Sequence, residues 1–266
     1  MLRCLIRYLR LYRVFVETCI ARETEFRANF WANVFTNTAW LFFFVAFIKV
    51  IFLNTNSVAD WTEPEMFALT GTFGLVTGLF GIVIHSNLSR LPELVRLGTL
   101  DFVVTRPVNA QFFVSTRYVK LDSIGNVVGA LGVILYGAFT SGASFHPVGV
   151  LAYLYLLLCG LLIYYGIYML VMTLSFWLVR VENLAVLCDV VFQASRYPID
   201  IFRGIAWRVA VYVVPLAFIA SFPVRALFGK LEPGWLVWGT ILAIALPFAS
   251  TLFFRFGLRH YGSASS

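Results

Sequence analysis

The sequence predicts an all-α integral membrane protein, and three observations carry that prediction. Hydrophobic residues make up 61% of the 266-residue chain and 17% are aromatic, with a mean hydropathy of +0.86. Only 12% of residues are charged, where a soluble domain has about 25%. The apolar residues gather in runs of about 20 or more, the length an α-helix needs to cross the hydrocarbon core. Lys and Arg outnumber Asp and Glu 20 to 13. In a soluble protein such an excess points to nucleic acid. In this chain it follows the bias of Lys and Arg toward cytoplasmic loops, so no nucleic-acid partner is expected.

Residues 1–29 read as an amphipathic helix or pair of helices. Arg3, Arg7 and Arg10 share one face, and Leu2, Leu5, Ile6 and Leu9 share the other. Such a leader lies along the membrane surface or under a partner protein, or it is a solvated positive-inside segment. The first apolar run starts only behind it, so no cleavable signal peptide is expected. The runs then fall at about 31–53, 66–86, 118–140, 148–178, 184–200, 205–222 and 235–254. Lys49 stands near the outer end of the first, where its stem can snorkel to the headgroups. The run at 148–178 exceeds one crossing and calls for a tilt or a projection from the bilayer. The run at 205–222 follows RYPIDIFRG, holds Arg208, and is interrupted by Pro215 and followed by Pro223.

Loop charges orient the chain. Residues 54–65 hold Asp60, Glu63 and Glu65 without Lys or Arg, and 141–147 hold no Lys or Arg either. The leader, the stretch NLSRLPELVRLGTLDFVVTRPVNAQFF at 87–113 with its flank to Lys120, and the turn at Arg180 are rich in basic residues, so they face the cytoplasm. Two topologies stay open for the last third. If 205–222 crosses, there are seven spans, with Arg225 and Lys230 inside. If it does not, there are six, with Arg255 and Arg259 inside. Each puts two of these four basic residues on the favoured side.

Gly71, Gly74, Gly78 and Gly81 line the second run, and Gly125, Gly129 and Gly132 the third. Both sets contain GxxxG, which lets helix backbones approach closely, either within one chain or between two. No catalytic or metal-binding pattern occurs: HExxH, GxSxG, GxGxxG after a strand and GxxxxGK[ST] are missing. His85, His146 and His260 are scattered, and the four cysteines form no CxxC. Ionisable residues inside apolar runs mark pathways by default. Asp189 and Gln193 share a helix face in the fifth run, with Arg196 one helical step on. They line a substrate path for an amphipathic or cationic compound, or they hydrogen-bond between helices.

The segment ELVRLGTLDFVVTRPVN resembles the cytoplasmic segment of one branch of the ABC-2 type permeases, the membrane subunits of ATP-driven exporters. That branch shows an acidic residue, an Arg-x-Gly-x-Leu-Asp core and a following Arg-Pro, here Glu93, Arg96, Gly98, Leu100, Asp101, Arg106 and Pro107. Phe102-Val103-Val104 departs from its more usual aliphatic residues. FWLVRVENL, RYPIDIFRG and VVPLAFIASFPVRALFG are similar to the same branch's turn between the fourth and fifth helices and to its outer gate region.

The resemblance implies six transmembrane helices, an N-terminal amphipathic helix at 1–29 and one transmembrane domain at 30–258. It also implies a re-entrant outer region at 197–233 before the last span and a cytoplasmic tail at 259–266. Both termini would face the cytoplasm, in the cytoplasmic membrane of a prokaryote. The stretch at 87–113 would be the coupling segment. Leu91, Leu94, Val95 and Leu97 would seat it, while Glu93, Arg96, Gly98, Asp101, Arg106 and Pro107 would serve a separate ATPase subunit carrying ATP and Mg; the other reading is a solvated loop. Tyr197, Pro198, Pro215 and Pro223 would belong to the outer gate. A second permease subunit, identical or homologous, would pair with this one, the chain itself holding no cofactor and no enzymatic activity. The cargo expected is a hydrophobic, amphipathic or cationic compound. An ion-coupled carrier without an ATPase and a membrane-embedded lipid enzyme are the alternatives.

Overall fold

The computed structural model describes residues 2–25, 27–142, 146–178 and 183–262, with side chains from residue 6 onward except at 22–30 and 37. Arg180, residues 263–266 of the tail and the side chain of Arg3 lie outside the described residues. The described chain is helical, with no named strand.

The leader forms α1 (Leu2–Glu25), and the first apolar run forms α2 (Arg27–Phe52). After a loop, α3 (Glu63–Phe80) begins with Pro64 in its first turn, where a missing N–H costs nothing. The Glu65 carboxylate reaches back to the Thr62 backbone N–H at 2.9 Å. The helix continues through a π-helical stretch, Gly81–His85, into a last turn at Ser86–Leu88. Three short helices follow: α4 (Leu91–Arg96), α5 (Asp101–Val104) and α6 (Ala110–Thr116). Then come α7 (Ile124–Thr140), α8 (Pro147–Thr173), α9 (Leu184–Gln193), α10 (Ile205–Arg208), α11 (Ser221–Leu227) and α12 (Gly234–His260). Among the described residues, five helical stretches are long and apolar enough to cross a membrane: Trp31–Phe52, Glu63–Arg96, Leu121–Thr140, Pro147–Phe176 and Gly234–His260.

Small residues set the packing. A Cβ on Gly71 would stand 2.6 Å from Ile134 Cγ1 and 2.8 Å from the Ala130 carbonyl oxygen, so α3 and α7 touch backbone to backbone. Asn126 of α7 donates to the Gly74 carbonyl at 3.1 Å in the same contact. Gly125 and Gly129 of α7 receive Val34 and Leu41 of α2. Gly71, Gly74, Gly78, Gly125 and Gly129 therefore pack helices within this chain, whereas a Cβ on Gly132 would meet nothing within 4 Å. α8 and α12 pair along their lengths in the same manner, with Gly166 against Leu246 and Pro247.

Charged contacts identify the two ends of the bundle. At one end, Trp61 donates to Asp200 at 2.8 Å, Arg225 pairs with Asp200 at 2.5 Å, Lys230 with Glu65 at 2.5 Å and Lys49 with Glu63 at 2.8 Å. Arg225 and Lys230 thus stand with the acidic loop, not with the basic stretch at 87–113. At the other end, Trp177 stacks on Phe253 and Phe256 of α12. There the Tyr261 phenol lies beside Asp101, its pKa raised by burial and then by that carboxylate.

The run at 184–200 is the main departure from a row of full-length spans. It forms α9, a short 3-10 turn at Ala194–Arg196, and an extended Tyr197 (φ −98°, ψ 151°) held out of the helix by Pro198. Thirteen helical residues at 1.5 Å each reach about 20 Å, extended Tyr197 and Pro198 add about 7 Å, and the first two residues of the 3-10 turn at Ile199–Ile201 add about 4 Å. That suffices to carry the chain from the Trp177 end to Asp200. The run at 205–222 is not one helix either. α10 passes into a π-helical stretch at Val209–Val213, and the chain breaks at Val214–Pro215 because proline lacks the N–H a helix needs. The Phe218 carbonyl then packs on Gly160 midway along α8, and the Ala226 carbonyl on Gly149 at its start. The chain dips to the middle of the bundle and returns to the same end.

Candidate functional site

A polar slot of about 330 Å³ lies between α3, the start of α7, α8 and α9. One wall is aromatic: Phe73, Phe80, Tyr164 and Phe192. Phe80 and Tyr164 stack with centroids 3.9 Å apart, and Tyr164 leans on Phe192 at 4.0 Å. The other wall carries Thr77, His85, Lys120, Ser123, Asn126, Asp189, Gln193 and Arg196. The three residues picked out in the fifth apolar run, Asp189, Gln193 and Arg196, therefore meet at one cavity.

The π-helical stretch of α3 sets His85 opposite α9, where its Nε2 stands 2.9 Å and 3.2 Å from the two Asp189 carboxylate oxygens. It also frees the Ile82 carbonyl to accept the Lys120 N–H at 2.7 Å. Such stretches re-aim side chains in exactly this local way, by inserting one residue into the helical ladder. Sequence reasoning passed over His85 as an isolated histidine, and only the crossing of α3 with α9 supplies its partner. Arg196 lies over the rings of Phe44 at 3.7 Å and Phe73 at 5.0 Å, a cation–π arrangement. A second cavity of about 220 Å³, lined by Trp40, Phe44, Phe73, Asn126 and Arg196 among others, adjoins the slot at Arg196.

The stretch at 87–113 is an ordered element. Leu91, Val95, Leu100 and Val103 are buried and Leu94 is partly buried against the core, whereas Leu97 is 56% exposed, a correction to its expected seating role. Gly98 (φ +69°) closes α4 in the left-handed conformation that favours glycine, so its place in the motif has a backbone cause. Glu93, Arg96, Arg106 and Pro107 are exposed together with Phe102, and Asp101 is half-buried toward Tyr261.

Polar residues that the sequence did not single out anchor this element. Buried Asn87 donates to the carbonyls of Val83 and Tyr118 and accepts the Tyr118 N–H at 2.8 Å, tying the stretch together at its base. Gln111 of α6 donates to Tyr165 of α8 at 2.9 Å and Thr251 of α12 at 3.1 Å. The leader docks from below: Arg7 donates to the Pro107 carbonyl at 2.8 Å, the Tyr8 hydroxyl accepts the Asn109 N–H, and Phe15 packs edge-on to Phe113. Of the outer residues, Pro198, Pro215 and Pro223 are buried and Tyr197 exposed. None of the four borders the slot.

A bundle of apolar helices enclosing a polar slot, with an ordered charged element hydrogen-bonded at one end, defines a multi-pass membrane protein. A family model described as ABC-2 family transporter protein matches residues 35–265, most of the chain and every element that builds the slot. The chain belongs to that family, and so is the membrane subunit, or permease, type of an ABC transporter. Comparison with curated proteins finds no match.

Proposed function

We propose that this permease exports a hydrophobic or amphipathic compound, drug, toxin or lipid-like, across the cytoplasmic membrane of a prokaryote, driven by ATP and Mg bound to a separate ATPase subunit. A second permease subunit, identical or homologous, completes the pathway. A cationic cargo finds the slot's one carboxylate, Asp189, already held by His85. The observation that carries the reading is the wiring of the 87–113 stretch. It presents Glu93, Arg96, Phe102 and Arg106 outward while Gln111 bonds to both α8 and α12. A push from an ATPase on the exposed face reaches two long helices directly. Charges at such a rim set register and partner choice more than affinity. In this reading both termini and the 87–113 stretch are cytoplasmic, and the dip at 214–227 is a re-entrant element of the outer gate.

Purification of the tagged chain from its host in mild detergent tests the proposal. The expected companion is a stoichiometric subunit carrying GxxxxGK[ST], with ATPase activity. The chain alone after crosslinking in the membrane, with no ATPase, would overturn it and favour a carrier, for which the His85–Asp189 pair in the slot is the one supporting observation. In the intact complex, Glu93→Ala with Asp101→Ala is expected to lower cargo-stimulated ATP hydrolysis about tenfold while leaving membrane insertion normal. Unchanged stimulation would remove the coupling role from this segment.

A further inference from the structure

Among the described residues, Arg196 is the one charge of the slot with no ion-pair partner. It stands ten residues along α3 from Glu63 by way of Phe73, about 15 Å from the outer end at 1.5 Å per residue, and so near the middle of the bundle. Among the described residues it makes no ion pair and none of its N–H groups donates a hydrogen bond. Its Cζ stands over both rings, and a ring face supplies no oxygen or nitrogen acceptor for the N–H groups. Cation–π contact offsets part of the cost of bringing the ion to this depth, and its donors border the two cavities instead of protein acceptors. The slot offers them no carboxylate: Asp189 is held by His85, and Lys120 at the far end stands 3.5 Å from buried Asp122. Thr77 and Asn126 border both cavities beside Arg196, and the walls around them are aromatic.

We propose that the slot binds an amphipathic oxyanion, a carboxylate, sulfate or phosphate headgroup on Arg196 with its apolar chain along Phe44, Phe73, Phe80 and Trp40. A guanidinium presents a fork of donors that such headgroups match two at a time, which an ammonium does not. Lys120, exposed at the basic end of the slot, draws the anion in, and Arg196 holds it at mid-depth. Read with the exporter function, on which this cargo assignment rests, the ligand is the transported compound. The same chemistry also describes an anionic phospholipid resident in the cavity.

The test uses a photoreactive alkyl phosphate on the purified protein in phosphatidylcholine nanodiscs, with peptide mapping of the label. Labelling is expected around Phe44, Phe73 and Arg196, displaced by dodecyl phosphate and not by dodecyltrimethylammonium. Arg196→Gln is expected to weaken labelling about tenfold and Arg196→Lys less, because the lysine keeps the charge and loses the fork. Without probe, Arg196→Gln should melt at the same temperature as the parent or higher, since the charge it removes is unpaired. A lower melting temperature in Arg196→Gln, restored by Arg196→Lys without restoring labelling, would mean a structural cation and overturn the proposal, as would equal displacement by the ammonium probe. In the intact complex with its ATPase, release of the bound probe on ATP addition identifies cargo, and retention with a copurified anionic lipid identifies the resident lipid; both are the oxyanion site. Should no ATPase companion exist, the exporter reading fails while the binding result on this chain stands by itself.

Discussion

His85 and Asp189 lie 104 positions apart in sequence, and their side chains are each about one third exposed, at 37% and 31%. At that exposure the pair is worth about 1 kcal/mol, not the several a dry pair would give. A double-mutant cycle with His85→Ala and Asp189→Ala, read by thermal unfolding in detergent, should return a coupling of about that size. Additive losses would show that the two residues do not sense each other. Asp189 was legible in the sequence because a carboxylate inside an apolar run is costly and rare. His85 was not, since the feature that aims it, five residues of π-helix, leaves no periodic mark that composition or spacing registers. Gly98 is intermediate between these cases: its position in the motif was legible, and its left-handed backbone explains why that position takes glycine.

Among the elements, the pairing of α3 with α7 makes the sharpest contrast between equivalent-looking residues. Gly71 and Gly132 are both glycines of small-residue patterns. A methyl group at Gly71 would meet Ile134 and the Ala130 carbonyl inside contact distance, while one at Gly132 meets nothing within 4 Å. Gly71→Ala should therefore cost about 1–3 kcal/mol by overpacking and lower the melting temperature by several degrees. Gly132→Ala should be neutral or slightly stabilising, because alanine is the better helix former. Equal effects from the two would contradict the interface described. The short helices at 87–113 make the complementary point. Their existence as an ordered element and the burial of Leu91 and Val95 follow the apolar spacing, but Leu97 turns outward because Gly98 ends the helix immediately after it. Gln111 carried no sequence signal, since a glutamine in a polar stretch looks solvated until α8 and α12 are brought over it.

For the whole molecule, the charged contacts at the two ends order the chain. Single cysteines placed at Asp60 and at Lys230, in a background lacking the four natural cysteines, should react with a membrane-impermeant thiol reagent on intact cells. Cysteines at Glu93 and Arg106 should react only after permeabilisation. Protection of both sets, or labelling of Lys230 and Arg106 from the same side, would reject this arrangement. The contact between Glu65 and Lys230 also joins the first loop to the stretch after α11 across 165 positions of sequence, so that end of the bundle is held by partners that no local rule connects.

Sequence alone determined the membrane class and where the long helices lie. Both rest on local quantities, namely run length and hydropathy, and the bilayer reads these the same way whatever the tertiary arrangement. The motif at 93–107 likewise pointed to the family that the comparison then matched over residues 35–265. Only the tertiary structure showed how 205–222 folds, because the loop charges balanced and Pro215 is compatible with either a kinked span or a dip. It places Phe218 against Gly160 and Ala226 against Gly149. Tertiary structure alone also paired His85 with Asp189 and left Arg196 without an acid among the described residues, since both depend on which helices cross and at what depth, information that no single run contains.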